Sequence, residues 1–185
     1  MAFQFKIKLK NISKPSVWRR VIVSEKMTFY EFHETIQVLF HWENYHLYFF
    51  SPSGYGSHPY ISVPDNDDEI DMEAPATRLD EVFGDAYRQF QYCYDLGDDW
   101  VHEIELEEIT KEKIRRPRCV AGKGACPPED CGGPWGYQNM KEIMNNPDHE
   151  EHSDFKEWLG IEGVWDPSCF DQEEVNRQLA ACFND

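Results

Sequence analysis

The sequence predicts an α+β fold, in which a mixed β-sheet grips one helix in a β-grasp, ubiquitin-like arrangement and a helical extension follows. Three observations support this prediction. Residues 3–10 alternate strictly between apolar and polar side chains, which is typical of a half-buried strand. Thr28 with Glu31 forms a capping box that opens a helix. From residue 137 to the end of the chain, the apolar residues recur mainly at helical spacing.

The remaining elements follow in order along the chain. Residues 17–23 return as a second strand, and residues 46–50 form a third. Residues 88–109 form a hairpin whose turn is Leu96-Gly-Asp-Asp99. Helices are predicted at three places, which are residues 137–145, 149–159 and 172–183.

The chain of 185 residues is long enough for one substantial domain, and its 41% hydrophobic content is ample for a core. We divide it into a sheet-and-helix core (1–110), a Cys/Gly/Pro-rich loop (111–136) and a helical extension (137–185). The acidic segment 65–73 is expected to be a solvated loop. Its spacing lacks the glycine that a calcium loop requires, because Ile70 stands at that position.

Charge and composition exclude several classes of function. The formal net charge of −17 disfavours nucleic acid, whose binding depends largely on Lys and Arg. No apolar run is long enough to span a bilayer, and the N-terminus does not resemble a signal peptide. We therefore expect a cytoplasmic protein without a membrane association. Six cysteines in a chain of this size do not indicate a disulfide framework.

The predicted hairpin turn concentrates three carboxylates and an imidazole, from Asp95, Asp98, Asp99 and His102. Such a set is suited to holding a divalent cation that activates water for hydrolysis. The strand phase, however, places His102 on the same face as Trp100, where a histidine buried in the core is the alternative. Aspartates in a turn also bond their own backbone amides.

Three cysteines cluster in the loop, at Cys119, Cys126 and Cys131. Three thiolates supply three ligands to a tetrahedral zinc ion, with the fourth drawn from a histidine such as His102, His149 or His152. The spacing differs from the tight CxxC pairs of structural zinc sites. Reduced thiols packed in a rigid loop are the alternative.

The same loop carries Glu129, Asp130 and Trp135. If the loop folds over the hairpin, its carboxylates converge with those of residues 95–99. A tryptophan exposed on a loop would mark a binding surface, whereas a buried one would anchor the loop. We find no phosphate-binding loop, dinucleotide fingerprint or nucleophile elbow, so no catalytic residue is assigned.

Two strings carry a resemblance to a known family: Tyr94-Asp-Leu-Gly-Asp-Asp-Trp-Val-His-Glu-Ile104 and Cys126-Pro-Pro-Glu-Asp-Cys-Gly-Gly-Pro-Trp-Gly-Tyr137. With Pro15-Ser-Val-Trp-Arg-Arg20 and Pro147-Asp-His-Glu-Glu-His152, they make the chain similar to the plasmid Ri ORF-3-like family over nearly its whole length. Leu96 stands where the family commonly has an aromatic residue. The resemblance implies an association with mobile genetic elements. The nucleophile sets of serine and tyrosine recombinases are not visible.

We therefore predict a non-enzymatic binding or adaptor module with a protein partner and no cofactor. Its binding surface would comprise the residues Asp95, Asp98, Asp99, Trp100, His102, Glu129, Asp130 and Trp135. One alternative is a metal-dependent hydrolase acting on phosphate or nucleic-acid substrates. Another is a structural protein stabilised by zinc at Cys119, Cys126 and Cys131. The oligomeric state is not indicated.

Overall fold

A computed structural model describes residues 1–64 and 70–183, and the predicted acidic loop lies partly outside these ranges. Within them the fold is α+β, with one eight-stranded, mostly antiparallel sheet and five helices. From one edge of the sheet to the other, the strands are Met72–Glu73, Ile61–Ser62, Tyr48–Ser51, Gln89–Tyr94, Trp100–Thr110, Ala2–Leu9, Trp18–Ser24 and Arg118–Lys123. The α+β class predicted from the sequence is therefore confirmed.

The element boundaries follow the chain. The strands are β1 (Ala2–Leu9), β2 (Trp18–Ser24), β3 (Tyr48–Ser51), β4 (Ile61–Ser62), β5 (Met72–Glu73), β6 (Gln89–Tyr94), β7 (Trp100–Thr110) and β8 (Arg118–Lys123). The helices are α1 (Phe29–Phe40), α2 (Leu79–Val82), α3 (Gly133–Met144), α4 (His152–Trp158) and α5 (Gln172–Cys182).

Strand β1 lies inside the sheet, between β2 and β7, and pairs antiparallel with both. Its alternating sequence gives the predicted half-buried strand, because Phe5 and Ile7 are fully buried while Lys6 and Lys8 are not. Full burial of such a side chain contributes roughly 1.5–3 kcal/mol to folding. This strand therefore anchors the core.

Helix α1 packs its apolar side on the sheet. The predicted capping box is present, with the Thr28 hydroxyl accepting from the Glu31 amide and the Glu31 carboxylate accepting from the Thr28 amide. Phe32 and Phe40 are fully buried, and the Phe32 ring centroid lies 5.0 Å from that of Phe5. The helix thus covers the centre of the sheet.

The segment 111–136 is not wholly a loop, as the sequence had suggested. Residues Arg118–Lys123 form β8, which pairs with β2 across a register shift between Arg20 and Val21. Helix α3 begins at Gly133, earlier than the predicted residue 137, with a proline in its first turn. Proline is well tolerated there, because the first amide groups of a helix have no partner within the helix. The strand was missed because glycine and alanine give β8 little β propensity.

The C-terminal helices lie close to their predicted positions. Helix α5 begins at an Asp171 cap that accepts from the Glu174 amide, and it buries Val175 and Leu179. It contacts both β8 and α1. The β-grasp arrangement is not confirmed by this topology, since β1 and β7 are antiparallel and the parallel pair lies at the edge, between β4 and β5. No helix in the described part of the chain is long and apolar enough to cross a membrane.

Candidate functional site

The candidate site lies where residues 126–132 press against the turn between β6 and β7. The Gly132 amide donates to Asp98 Oδ2 over 3.0 Å. A Cβ atom on Gly133 would lie 2.4 Å from the Asp98 carbonyl oxygen, and Gly133 has a φ of +66°. Only glycine permits both the close approach and this backbone conformation. The loop is therefore held directly against the turn.

Glu129 fastens the loop on its other side. Its Oε1 accepts from the Glu43 amide at 2.8 Å and from the Tyr94 hydroxyl at 2.9 Å. Burial, and then the hydrogen bond to Glu129, raise the pKa of Tyr94, so this hydroxyl stays protonated and donates. The Trp42 indole donates to the Pro127 carbonyl at 3.0 Å. These contacts fix where the Glu129 carboxylate lies.

Asp95 begins the turn in a left-handed backbone conformation, with a φ of 55°. Its Oδ1 accepts from the amides of Gly97 at 2.9 Å and Asp98 at 3.3 Å. This is the turn-forming use of aspartate that the sequence suggested. Asp95 is only 7% exposed, so its second oxygen is also largely withdrawn from water.

His46 lies between the turn and the loop. Its Nε2 is 3.2 Å from Asp130 Oδ1, 3.6 Å from Asp95 Oδ2 and 3.9 Å from Glu129 Oε2. We call these four residues the carboxylate–imidazole cluster. Within residues 1–64 and 70–183, the ligand atoms of His46, Asp95 and Asp130 form the one group of three or more His, Cys, Asp or Glu atoms within 4.8 Å of one another.

Two atoms of this cluster have unmet hydrogen-bonding capacity. His46 Nε2 and Glu129 Oε2 are both buried and have no hydrogen-bond partner. Buried polar groups are normally paired, because leaving one unsatisfied costs about 1–3 kcal/mol. These two atoms therefore keep capacity for a further hydrogen bond.

A cleft of about 710 Å³ opens beside the cluster, between the turn and the start of α3. Its lining includes Asp98, Asp99 and Trp135. Trp135 is 87% exposed, although it sits in the first turn of a helix whose start is held against Asp98. The sequence left open whether this tryptophan is buried or exposed, and it is exposed. We call this region the Trp135 cleft.

Two residues predicted for the binding surface are instead buried beneath it. Trp100 and His102 are both inaccessible to solvent. His102 packs edge-on against Phe40 and Trp42, and its Nδ1 donates to the Tyr92 carbonyl at 3.2 Å. Burial lowers the pKa of His102 to about 3. The strand phase that placed this histidine on the apolar face explains its position.

The three cysteines proposed as zinc ligands do not form one compact ligand group among the described residues. Among the described residues their sulfur atoms do not join any group of potential ligands within 4.8 Å. Cys119 lies in β8, next to Asn176 of α5. Cys126 Sγ accepts from the Arg19 guanidinium at 2.8 Å, where a positive charge opposes a bound cation. Burial raises the pKa of Cys131 to about 12, which disfavours the thiolate.

His46 is the site residue that the sequence analysis missed. It was read only as the first residue of a strand, whereas β3 begins at Tyr48. No spacing motif connects it with Asp95 or with Asp130, because the three belong to separate segments that meet only in the folded chain. The one available signal was a histidine bordering a predicted strand, which is too common to be selective.

Comparison with known proteins places the chain in a family. The family model described as plasmid pRiA4b ORF-3-like protein matches residues 1–174. The uncharacterized protein y4hQ of Sinorhizobium fredii (strain NBRC 101917 / NGR234) is 35% identical over 161 residues, which cover 85% of this chain and 80% of y4hQ.

The crystal structure of MM3350 from Methanosarcina mazei Go1, a protein of unknown function, is also similar. It matches with a TM-score of 0.81 and 35% sequence identity, over 94% of this chain and 97% of that one. The family resemblance inferred from the two strings is thereby confirmed. The chain belongs to the plasmid pRiA4b ORF-3-like family.

Proposed function

We propose that this protein is a non-enzymatic binding module that docks a basic segment of a partner protein in the Trp135 cleft. The observation that carries the proposal is Trp135, which is 87% exposed on a helix start that is held in place and lines a cleft together with the acidic residues Asp98 and Asp99. An indole face attracts Lys and Arg side chains, and tryptophan is enriched among the residues that dominate binding energy.

Charge and neighbouring apolar groups support this choice of partner. The chain carries a net charge of −17, which favours encounter with a cationic partner. Leu96 of the same turn is 42% exposed, and Leu47, whose carbonyl accepts from the Asp95 amide, is 50% exposed. Exposed apolar groups beside a charged cleft are typical of a protein interface.

Binding of fluorescent peptides tests the proposal. A peptide rich in Lys and Arg and its charge-reversed counterpart are titrated with the wild type, Trp135→Ala and Trp158→Ala. Trp158 is the matched control, since it is 51% exposed on α4. We expect Trp135→Ala to weaken binding of the basic peptide by about tenfold or more and Trp158→Ala to leave it unchanged.

Binding driven only by the protein's net negative charge would not change when Trp135 is replaced. Equal affinities for the two tryptophan variants, or equal binding of the acidic peptide, would therefore overturn the proposal.

A metal-dependent hydrolase acting on phosphate or nucleic-acid substrates is the second candidate, favoured by the carboxylate–imidazole cluster. A divalent ion held there would supply activated water. Turnover of phosphomonoesters and phosphodiesters with Mg²⁺, Mn²⁺ or Zn²⁺, abolished in Asp95→Asn, would support this activity. Absence of turnover across that panel, with metal bound to the wild type, would count against it.

A further inference from the structure

We propose that His46, Asp95, Glu129 and Asp130 bind one divalent metal ion of the zinc or manganese class. The proposal does not depend on the binding module described above. It rests on three features of the cluster: the separations of its ligand atoms, the atoms left without partners, and the way each buried carboxylate is oriented.

The separations fit a small coordination sphere. Zinc–nitrogen and zinc–oxygen bonds of about 2.0–2.2 Å place tetrahedral ligands about 3.3–3.6 Å apart. His46 Nε2 lies 3.6 Å from Asp95 Oδ2 and 3.2 Å from Asp130 Oδ1. Glu129 Oε2 is slightly farther, at 3.9 Å from the same nitrogen. The ligand atoms of His46, Asp95 and Asp130 all lie within 4.8 Å of one another and can surround one ion, whereas Glu129 is outside that group and would have to move farther to join it.

In Asp95 and in Glu129, one carboxylate oxygen accepts hydrogen bonds from the protein and the other is free to bind a metal ion. Asp95 Oδ1 is taken by two turn amides, and its Oδ2 faces His46. Glu129 Oε1 is taken by the Glu43 amide and the Tyr94 hydroxyl, and its buried Oε2 has no partner. Such outer contacts orient carboxylate ligands toward a metal in many proteins.

Charge also favours a cation at this position. Three carboxylates surround one imidazole whose Nε2 is buried without a hydrogen bond, and Asp95 is more than nine-tenths buried. The charge is costly for the largely buried carboxylates of Asp95 and Glu129 unless it is compensated, whereas Asp130 is 73% exposed and is solvated. A nitrogen ligand with carboxylates suits zinc or manganese, whereas soft thiolates are absent from this set.

The ion would join three segments that the sequence separates. His46 precedes β3, Asp95 begins the β6–β7 turn, and Glu129 and Asp130 belong to the loop that leads into α3. The same loop carries Gly132, which is bonded to Asp98 on the wall of the Trp135 cleft. Binding of the ion would thus stabilise the loop beside the cleft.

Calorimetric titration of chelator-treated, full-length protein with Zn²⁺ and Mn²⁺ tests the site. The variants are His46→Ala and Asp95→Asn, with His58→Ala as the matched control. His58 contacts Asp71 at 2.5 Å but lies in an exposed pair outside any group of three potential ligands among the described residues. Cys126→Ser tests whether thiols contribute. Circular dichroism verifies folding, and Glu129→Gln replaces Asp95→Asn if the latter does not fold.

We expect one ion per chain in the wild type, His58→Ala and Cys126→Ser. Affinity should fall more than about 100-fold in His46→Ala and Asp95→Asn, since loss of an outer contact alone costs roughly 10- to 100-fold. Trp135→Ala should bind the ion normally. The metal proposal and the peptide proposal can therefore be contradicted separately.

Three results would overturn the proposal. They are no binding of either ion by the wild type, loss of binding in Cys126→Ser, or equal weakening in His46→Ala and His58→Ala.

Discussion

Two polar clusters contact residues 123–130, and they differ in how completely their groups are paired. The first surrounds Arg19, which is 1% exposed. The second is the carboxylate–imidazole cluster around His46. Both bring charge into the interior, where it is costly unless it is compensated. Their comparison separates a cluster that serves the fold from one that is available for a ligand.

The Arg19 cluster is fully satisfied. Nε donates to the Leu39 carbonyl, Nη1 to the carbonyls of Trp18 and Lys123, and Nη2 to the Gly124 carbonyl and Cys126 Sγ. A guanidinium has five N–H groups, and all five are used. The Phe170 ring lies 4.1 Å from the guanidinium carbon and adds a cation–π contact.

The His46 cluster has the opposite character. It has an excess of acceptors, and two of its buried atoms, His46 Nε2 and Glu129 Oε2, make no hydrogen bond. The hydrogen bonds of Arg19 connect β2 with the end of β8 and the segment after it. No N–H group of Arg19 is left to bind an external ligand. Incomplete pairing around His46 costs stability unless a further group compensates it, and the proposed metal ion would do so. The predictions below test this contrast.

The largest effect is expected from Arg19→Lys. An ammonium group has three donors, so at least two of the five acceptors would be left unpaired in the interior. We expect the free energy of unfolding to fall by about 3 kcal/mol, measured by urea denaturation.

The control is Arg20→Lys, the next residue on the opposite face of β2. Arg20 makes a paired hydrogen bond with Glu107, through Nε at 2.6 Å and Nη2 at 2.8 Å, in a partly exposed position. Its replacement should cost only about 1 kcal/mol. Equal losses in the two variants would show that the interior pairing of Arg19 has no special role.

The next effect concerns pH and the buried His102. Its folded pKa of about 3 lies below the ordinary value of about 6.5, so the unfolded chain binds a proton that the folded chain does not. Its stabilising contribution is complete above pH 6.5 and is lost as the pH falls toward 3. Between pH 7.5 and pH 5 the loss is about 2 kcal/mol.

Urea denaturation of wild type and His102→Asn at both pH values measures this difference. The variant is less stable at pH 7.5, but its stability should depend less on pH, by about 2 kcal/mol. His33 provides a check, because burial lowers its pKa to about 4 and it should behave similarly. An unchanged pH dependence in His102→Asn would mean that this histidine is not neutral in the folded protein.

A smaller effect is expected from His46→Ala in metal-free protein. The lost nitrogen has no hydrogen bond to break, and the side chain is 29% exposed. The free energy of unfolding should change by less than about 1 kcal/mol. A loss as large as that of Arg19→Lys would assign His46 to the fold and remove the contrast between the clusters.

The smallest effect concerns thiol reactivity. Cys169 and Cys182 are exposed, whereas burial raises the pKa of Cys93 to about 12 and of Cys119 to about 11. A maleimide reagent should therefore modify two thiols quickly and the others slowly. Zinc should leave these rates unchanged, whereas protection of Cys126 and Cys131 by zinc would restore the cysteine site that the sequence suggested.

Local patterns predicted much of the fold. Alternation identified β1, the capping box located α1, and the strand phase placed His102 in the core, because each depends on neighbours in sequence. Strand β8 was missed because its residues have a weak β propensity. The strand is stabilised by its pairing with β2, a tertiary contact that local sequence patterns do not show. The arrangement of the sheet was equally inaccessible to local reasoning.

The candidate site likewise combines residues that the sequence predicted with contacts that it did not. The aspartates of the turn and the acidic pair of the loop were identified as types of residue suited to binding. Their meeting with His46 depends on Gly133 approaching Asp98 and on Glu129 bonding Tyr94, contacts between segments more than thirty residues apart. Arg19 gave no signal at all, since its five acceptors are mostly backbone carbonyls.

The most direct test is diffraction from crystals of the full-length protein grown with zinc and measured on both sides of the zinc absorption edge. The account predicts one anomalous peak among His46, Asp95, Glu129 and Asp130, about 2.0–2.1 Å from His46 Nε2. A peak at Cys126 or Cys131, or no peak in this cluster at saturating zinc, would contradict it.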